Sequence, residues 1–218
     1  MFSPKQLEIL KFPYTEYNTL IGDGAVRTGK TIVMGISFIS WSMNTFNGKN
    51  FGICGKTVKS AERNIIKELM KIKYLRETYE MKYSSSNSLL TIKRGNVTNY
   101  YYIFGGKDES SYQLIQGITL AGILVDECVL QPRSFIEQAI ARCSVEGSKK
   151  FFNCNPESPE HWFLKEWIEQ AEEKNALRIH FDLDDNPALS ESVKEEYRRS
   201  YTGVFYKRYI LGLWVRAE

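Results

Sequence analysis

Histidine and cysteine are scarce in this chain, at two and four of 218 residues. Cys54, Cys128, Cys143 and Cys154 form no Cys-x-x-Cys pair, which argues against a zinc site or a disulfide framework. They read as reduced, buried thiols of an intracellular protein. Long apolar runs are also missing. No stretch approaches the roughly 20 residues a membrane-spanning helix needs, and the opening "MFSPKQLEIL" lacks a basic-then-apolar leader pattern. Neither charge sign dominates: 29 basic against 26 acidic residues leave +3, which neither requires a nucleic-acid partner nor excludes one. Internal repeats and low-complexity linkers are absent, and a hydrophobic fraction of 43% supplies ample core for one domain.

Strand and helix signals alternate along the chain. "SPKQLEILKF" (3–12) predicts a helix capped by Ser3 with Pro4 in its first turn. "YNTLIG" (17–22) predicts a strand, "TIVMGISFISWSMNTF" (31–46) a largely buried helix, and "KNFGICG" (49–55) a second strand. Val58, Ala61, Ile65, Leu69 and Ile72 recur at helical spacing over 57–75. Lys59, Arg63, Lys67, Lys71 and Lys73 lie between them, either a solvated face or a stripe facing DNA. Further strands are expected at 89–93, 100–104, 121–127, 149–155 and 176–182, with helices at 132–143 and 159–173, and polar loops at "YSSSN" (83–87) and "KDESS" (107–111). This order predicts an α/β fold with a mostly parallel sheet and helices on both faces. The chain divides into an N-terminal segment (1–15), a core (16–182) and a C-terminal helical segment (183–218).

Gly24-x-x-x-x-Gly29-Lys30-Thr31 is a complete phosphate-binding loop, placed between a predicted strand and helix. Gly24, Ala25, Val26, Arg27, Thr28 and Gly29 form a cradle in which backbone N–H groups can close around phosphate oxygens. Lys30 brings charge to the β- and γ-phosphates, Thr31 offers a hydroxyl to Mg²⁺, and the following helix turns its positive end to the anion. "GILVDE" then delivers Asp126 and Glu127 to the end of a buried strand. With Asp126 assigned to the metal, Glu127 is free to orient and deprotonate water, which makes the chain a hydrolase of ATP rather than a nucleotide kinase.

In "FFNCNP", Asn153 and Asn155 share one strand face, where an amide could sense the γ-phosphate. Gln6 could read the adenine edge by donating and accepting at once. Asp182, Asp184 and Asp185 share one loop beside Asn186-Pro187 and read as turn formers rather than a two-metal cluster.

Together, "FSPKQLEIL", "GDGAVRTGKT", "GILVDE", "FFNCNPESPEHW" and "DNPALSESVKEEYRRSYTGVFYKRYILGLWV" resemble the ATPase portion of the large terminase subunit of tailed bacteriophages and prophages. The specific parts are "NPESPEHWF" and "YTGVFYKRYILGLW"; Arg27 within the loop is also typical. The resemblance implies a RecA-like fold of the additional-strand, catalytic-glutamate class. It implies ATP hydrolysis that drives double-stranded DNA into a procapsid, by a homo-oligomeric ring on a portal protein, with a small terminase subunit, in the host bacterial cytoplasm. By motif position, Gln6 reads adenine, Lys30 and Thr31 hold phosphate and Mg²⁺, Asp126 is the metal acid, Glu127 the catalytic glutamate, and Asn155 with Asn153 the coupling position. Members usually continue into a nuclease domain; these residues stop at "WVRAE", about where that connection would begin, so no DNA cleavage is expected of them.

Many relatives carry an arginine before a glycine upstream of the acid strand, where this chain has Gln116-Gly117. The transition-state cation must then come from elsewhere: Arg27 within the same chain, or Arg142 presented by a ring neighbour. Two other readings compete. Asp126-Glu127-Cys128 fits a D-E-x-x helicase, but such helicases need a second motor lobe that 218 residues do not hold. A non-catalytic docking module would not need Glu127.

Overall fold

A computed structural model describes residues 2–217. The chain runs through α1 (Pro4–Lys11), β1 (Thr19–Gly24), α2 (Lys30–Thr45), β2 (Asn50–Gly55), α3 (Val58–Ala61), a π-helical turn (Glu62–Ile66), α4 (Lys67–Lys71) and α5 (Lys73–Thr78). It continues through β3 (Glu80–Ser84), β4 (Leu89–Arg94), β5 (Val97–Gly105), α6 (Tyr112–Ile115), β6 (Gly122–Val125) and α7 (Arg133–Arg142). β7 (Lys149–Cys154), β8 (Ala176–Phe181), α8 (Glu191–Ser200) and α9 (Gly203–Tyr209) complete it.

One eight-stranded sheet results, in the order β3-β4-β5-β2-β6-β7-β1-β8. From β5 to β8 every neighbouring pair is parallel, and β3 and β4 extend the β5 edge as an antiparallel meander. β7 lies between β1, which feeds the glycine-rich loop, and β6, which ends at the two acids. That inserted strand brings both loops to one edge of the sheet, at the carboxyl ends of the parallel strands, where open α/β sheets bind ligands.

The central strands are apolar on both faces because helices cover both. Leu20, Phe51, Ile53, Leu124 and Phe151 face α1, α2 and the α3–α5 region. Their neighbours Ile21, Cys54, Ile123, Val125 and Phe152 face α6, α7 and the segment around Phe163–Ile168. Phe38 of α2 centres the first layer, with Phe51 and Phe151 edge-on at 5.7 and 5.2 Å and Tyr101 at 6.1 Å. A third, smaller cluster docks the C-terminal helices, through Ile210, Tyr197 and Tyr206, onto Ala25 and Leu183. No helix among the described residues is long and apolar enough to cross a membrane.

Three sequence expectations change. The helix over 57–75 is interrupted by the π-helical turn and breaks at Ile72, whose ψ of 120° is extended. Lys67 and Lys71 on it pair with Glu62 and Glu68, and Lys73 with Glu77. These three of the five basic residues fit the solvated-face reading, as exposed ion pairs. The helix over 159–173 is shorter than expected: Trp162 and Phe163 lead into a π-helical turn (Leu164–Ile168), turns follow to Asn175, and Phe163 and Trp167 stack together against Phe152. β3 begins in a segment with no strand signal and takes in Tyr83 and Ser84 of the expected 83–87 loop. Met81 and Tyr83 turn to the core while Glu80 and Lys82 face outward, the half-buried pattern of a short edge strand.

Candidate active site

α1 opens with the predicted cap. Ser3 Oγ accepts from Gln6 N at 3.2 Å, and Gln6 Oε1 accepts from Ser3 N at 3.1 Å, a reciprocal capping box. The other end of the Gln6 amide donates to the Thr28 carbonyl at 2.9 Å. The Gln6 amide, expected at an adenine edge, thus also braces the loop from behind. Gly29, with φ +80°, leaves the room: a Cβ there would sit 2.8 Å from Gln6 Nε2. Gly24, with φ +130°, is tighter still, since a Cβ would meet the Phe181 carbonyl oxygen at 1.9 Å.

The loop opens into a cleft of about 570 Å³ lined by Val26 to Ile32, Asn64, Asp126, Glu127, Asn153, Asn155, Asn186 and Leu189. Gly24 and Ala25, expected in the cradle, do not line it. The N–H of Ala25 is bonded to Phe181 O and that of Val26 to Tyr209 O, both at 2.9 Å. The available donors come from the far half of the loop and the first turn of α2, which no side chain caps. The first three N–H groups of such a helix have no intrahelical acceptor and are free to meet an anion.

Lys30 is buried, with Nζ donating to Ala25 O at 2.5 Å and Thr28 Oγ1 at 3.1 Å, and reaching Asn155 Oδ1 at 3.5 Å. Burial lowers its pKa to about 8, because an ammonium out of water lacks a full counter-charge. Thr31 Oγ1 donates to Asp126 Oδ1 at 3.0 Å, and Asn153 Nδ2 bonds both that oxygen and, at 2.8 Å, Thr31. Burial raises the Asp126 pKa against these hydrogen bonds. Burial, then the neighbouring Asp126, also raises that of Glu127, opposed by Arg63 and Lys56. The structure therefore places Asn153 with Thr31 and Asp126, and Asn155 with Lys30.

The two arginine candidates separate. Arg27 is exposed at the cleft, its guanidinium 5.9 Å from the Tyr197 ring centroid and its carbonyl accepting from Asn186 at 2.5 Å. Arg142 ends α7 at the opposite edge of the sheet, where its carbonyl accepts from Leu120 N ahead of β6. Within one chain it does not reach the cleft.

The acidic loop is fully engaged: Asp182 caps Asp184 N, Asp184 pairs with Arg198, and Asp185 with Lys5. No group of three or more His, Cys, Asp or Glu placed to hold a metal occurs among the described residues.

Sequence reasoning missed two sets. Asp23, wholly buried before Gly24, accepts from Arg178 Nε and Nη2 at 2.9 and 3.0 Å, with His180 at 3.1 Å. The signal was an acid inside an apolar strand. Gln131, which donates to the Asp126 carbonyl at 2.6 Å, carried no sequence signal.

Fold and loop together define a RecA-like P-loop domain with an additional strand between its loop strand and its acid strand. The family model described as "Terminase large subunit, T4likevirus-type, N-terminal" matches residues 21–218, and the chain belongs to that family. It is similar to the large terminase from a thermophilic bacteriophage, at 51% identity and TM-score 0.94 over 99% of this chain and 54% of that one. A complex of the same thermophilic phage protein with ATP-gamma-S matches at 49% identity and TM-score 0.91, over 99% of this chain and 53% of that one. The Thermus phage P74-26 large terminase ATPase domain shares the fold at 15% identity and TM-score 0.71, covering 96% of this chain and 92% of that one. The chain thus spans about half the length of the thermophilic phage protein. No curated protein sequence matches it.

Proposed function

We propose that this domain binds ATP with Mg²⁺ and hydrolyses it as the motor of a large terminase, driving double-stranded DNA into a viral procapsid. The observation that carries the proposal is the meeting of Thr31, Asp126 and Asn153 beside buried Lys30, with Glu127 on the same cleft. The complexes of the thermophilic phage protein with ADP and ATP-gamma-S support the choice of nucleotide. Thr31 Oγ1 and Asp126 offer two hard oxygens, and Asn153 Oδ1 is a buried oxygen without a partner. This donor set suits Mg²⁺, which prefers such ligands. Bound there, the ion would neutralise charge on the phosphates.

The chain's own residues then act as follows. Far-loop N–H groups and Lys30 hold the β- and γ-phosphates. Glu127 takes a proton from water as the water oxygen bonds to the γ-phosphorus and the bond to the bridging oxygen breaks, giving ADP and phosphate. Arg27 supplies positive charge to the transferring group. Asn155, touching Lys30, registers loss of the γ-phosphate and passes it to the segment after β7. The partners that fit are double-stranded DNA, further copies of this chain in a ring, a portal protein and a small terminase subunit, in the host bacterial cytoplasm.

ATP hydrolysis by the purified chain, with and without duplex DNA, tests the proposal. Turnover that DNA stimulates, and that Lys30→Ala abolishes, is expected. Unchanged turnover in Lys30→Ala would remove the basis of the assignment.

A further inference from the structure

We infer that Gln131 is a positioning residue for hydrolysis, holding Glu127 in its working orientation through the peptide that joins Asp126 to Glu127. The inference rests on Glu127 being the general base.

Glu127 adopts φ 50° and ψ 45°, a left-handed conformation that non-glycine side chains avoid and that persists only where neighbours impose it. The peptide between Asp126 and Glu127 sets this conformation, because turning it changes ψ of Asp126 and φ of Glu127 together. Backbone bonds restrain both sides of that peptide: Asp126 N donates to Cys54 O of β2 at 2.9 Å, and Leu130 N donates to Glu127 O at 2.9 Å. The carbonyl of the peptide itself is held by a side chain, Gln131 Nε2, at 2.6 Å.

Gln131 is 4% exposed and its Oε1 has no hydrogen-bond partner among the described residues, where the bond to Asp126 is the polar contact that its amide group makes. Gly106 admits the amide: a Cβ there would lie 2.6 Å from Oε1. A buried glutamine with half its amide unsatisfied is costly, and an apolar residue of similar size would pack there without that cost. Its one bond lands on the peptide that aims Glu127. Gln131 does not line the cleft and so does not touch nucleotide. It acts through Glu127.

The test is kcat and ATP affinity for Gln131→Met, which keeps the volume and loses the donor, alone and combined with Glu127→Gln. Gln131→Glu, with the same shape and an oxygen in place of the donor, gives a second route if the methionine variant folds poorly. Expected is a fall in kcat of about tenfold or more, with the ATP dissociation constant within twofold of the parent. In the Glu127→Gln background the Gln131 substitution should cost nothing further, since coupled residues are non-additive. An unchanged kcat, or the same fold-loss in both backgrounds, overturns the inference while leaving the role of Glu127 intact. Parent-like turnover in Glu127→Gln alone would instead remove the reading beneath it.

Discussion

The indole N–H of Trp214 donates to Asp23 Oδ2 at 3.1 Å, joining residues 191 positions apart. Asp23 directly precedes the glycine-rich loop, and Trp214 belongs to the segment after α9. The same segment is tied back by Arg208, which is buried and donates to Val215 O at 2.7 Å while pairing with Glu157, two residues after Asn155. Two polar ties thus hold the C-terminal segment, one to the strand end before the loop and one to the segment after β7.

Asp23→Asn should destabilise the domain by about 1–2 kcal/mol at neutral pH, since it weakens the charge-assisted bonds to Arg178, whose partly exposed guanidinium water can still solvate. Burial pushes the Asp23 carboxyl up, but His180 and Arg178 outweigh it and hold its pKa well below the usual range. The stabilisation is therefore present above the unfolded-state value of about 3.9 and is lost as pH falls through the folded-state value. Thermal unfolding from pH 7 downward should show the variant and the parent converging only in acid. A gap that is small at neutral pH would contradict the pairing.

Lys30 gives a second pH dependence. Its pKa of about 8 without ligand must rise when phosphate oxygens surround it, so binding takes up a proton above that pH. ATP affinity should weaken as pH climbs past about 8, by at most tenfold per unit. Calorimetry in buffers of different ionisation enthalpy should show net proton uptake. Proton-independent binding at pH 9 would count against Lys30 as the phosphate contact.

Arg27 should act within its own chain. Arg27→Ala should abolish ATP turnover, and parent activity per chain should depend little on protein concentration. Activity that rises steeply with concentration and falls with Arg142→Ala would move the cation to a neighbour. Mixing Arg142→Ala with Glu127→Gln chains would then restore turnover.

The pKa of Glu127 is raised by burial and by Asp126. The acid limb of kcat should therefore have its midpoint above the ordinary glutamate value of about 4.3, activity being lost as pH falls and the base is protonated. A midpoint at or below that value would contradict Glu127 as the base.

The parts of this molecule that were legible in sequence are those whose physics is local. β1, β2, β6 and β7 announce themselves because both faces are buried, which leaves short apolar runs broken by glycine or acids. Thr31, Asp126 and Asn153 could be assigned to one cleft because a P-loop needs a second strand end beside it. The tertiary parts were not legible. Asp23 takes its partners from Arg178, His180 and Trp214, far along the chain. Ile72 looks helical in any local window, and its break appears only when α4 and α5 pack. β3 does alternate, with Met81 and Tyr83 turned to the core between Glu80, Lys82 and Ser84, but a five-residue pattern beside a serine-rich loop is too short to stand out. Gly24 and Ala25 belong to the loop motif, yet the Ala25 N–H is spent on β8, which no motif records.

The most direct measurement is ATP binding and hydrolysis by Glu127→Gln beside the parent chain. ATP affinity should stay within a few-fold while kcat falls about a hundredfold, the size expected on losing a general base. Affinity falling in parallel with kcat would make Glu127 a metal ligand and exchange its role with Asp126. Turnover equal to that of the parent would contradict hydrolysis at this site altogether.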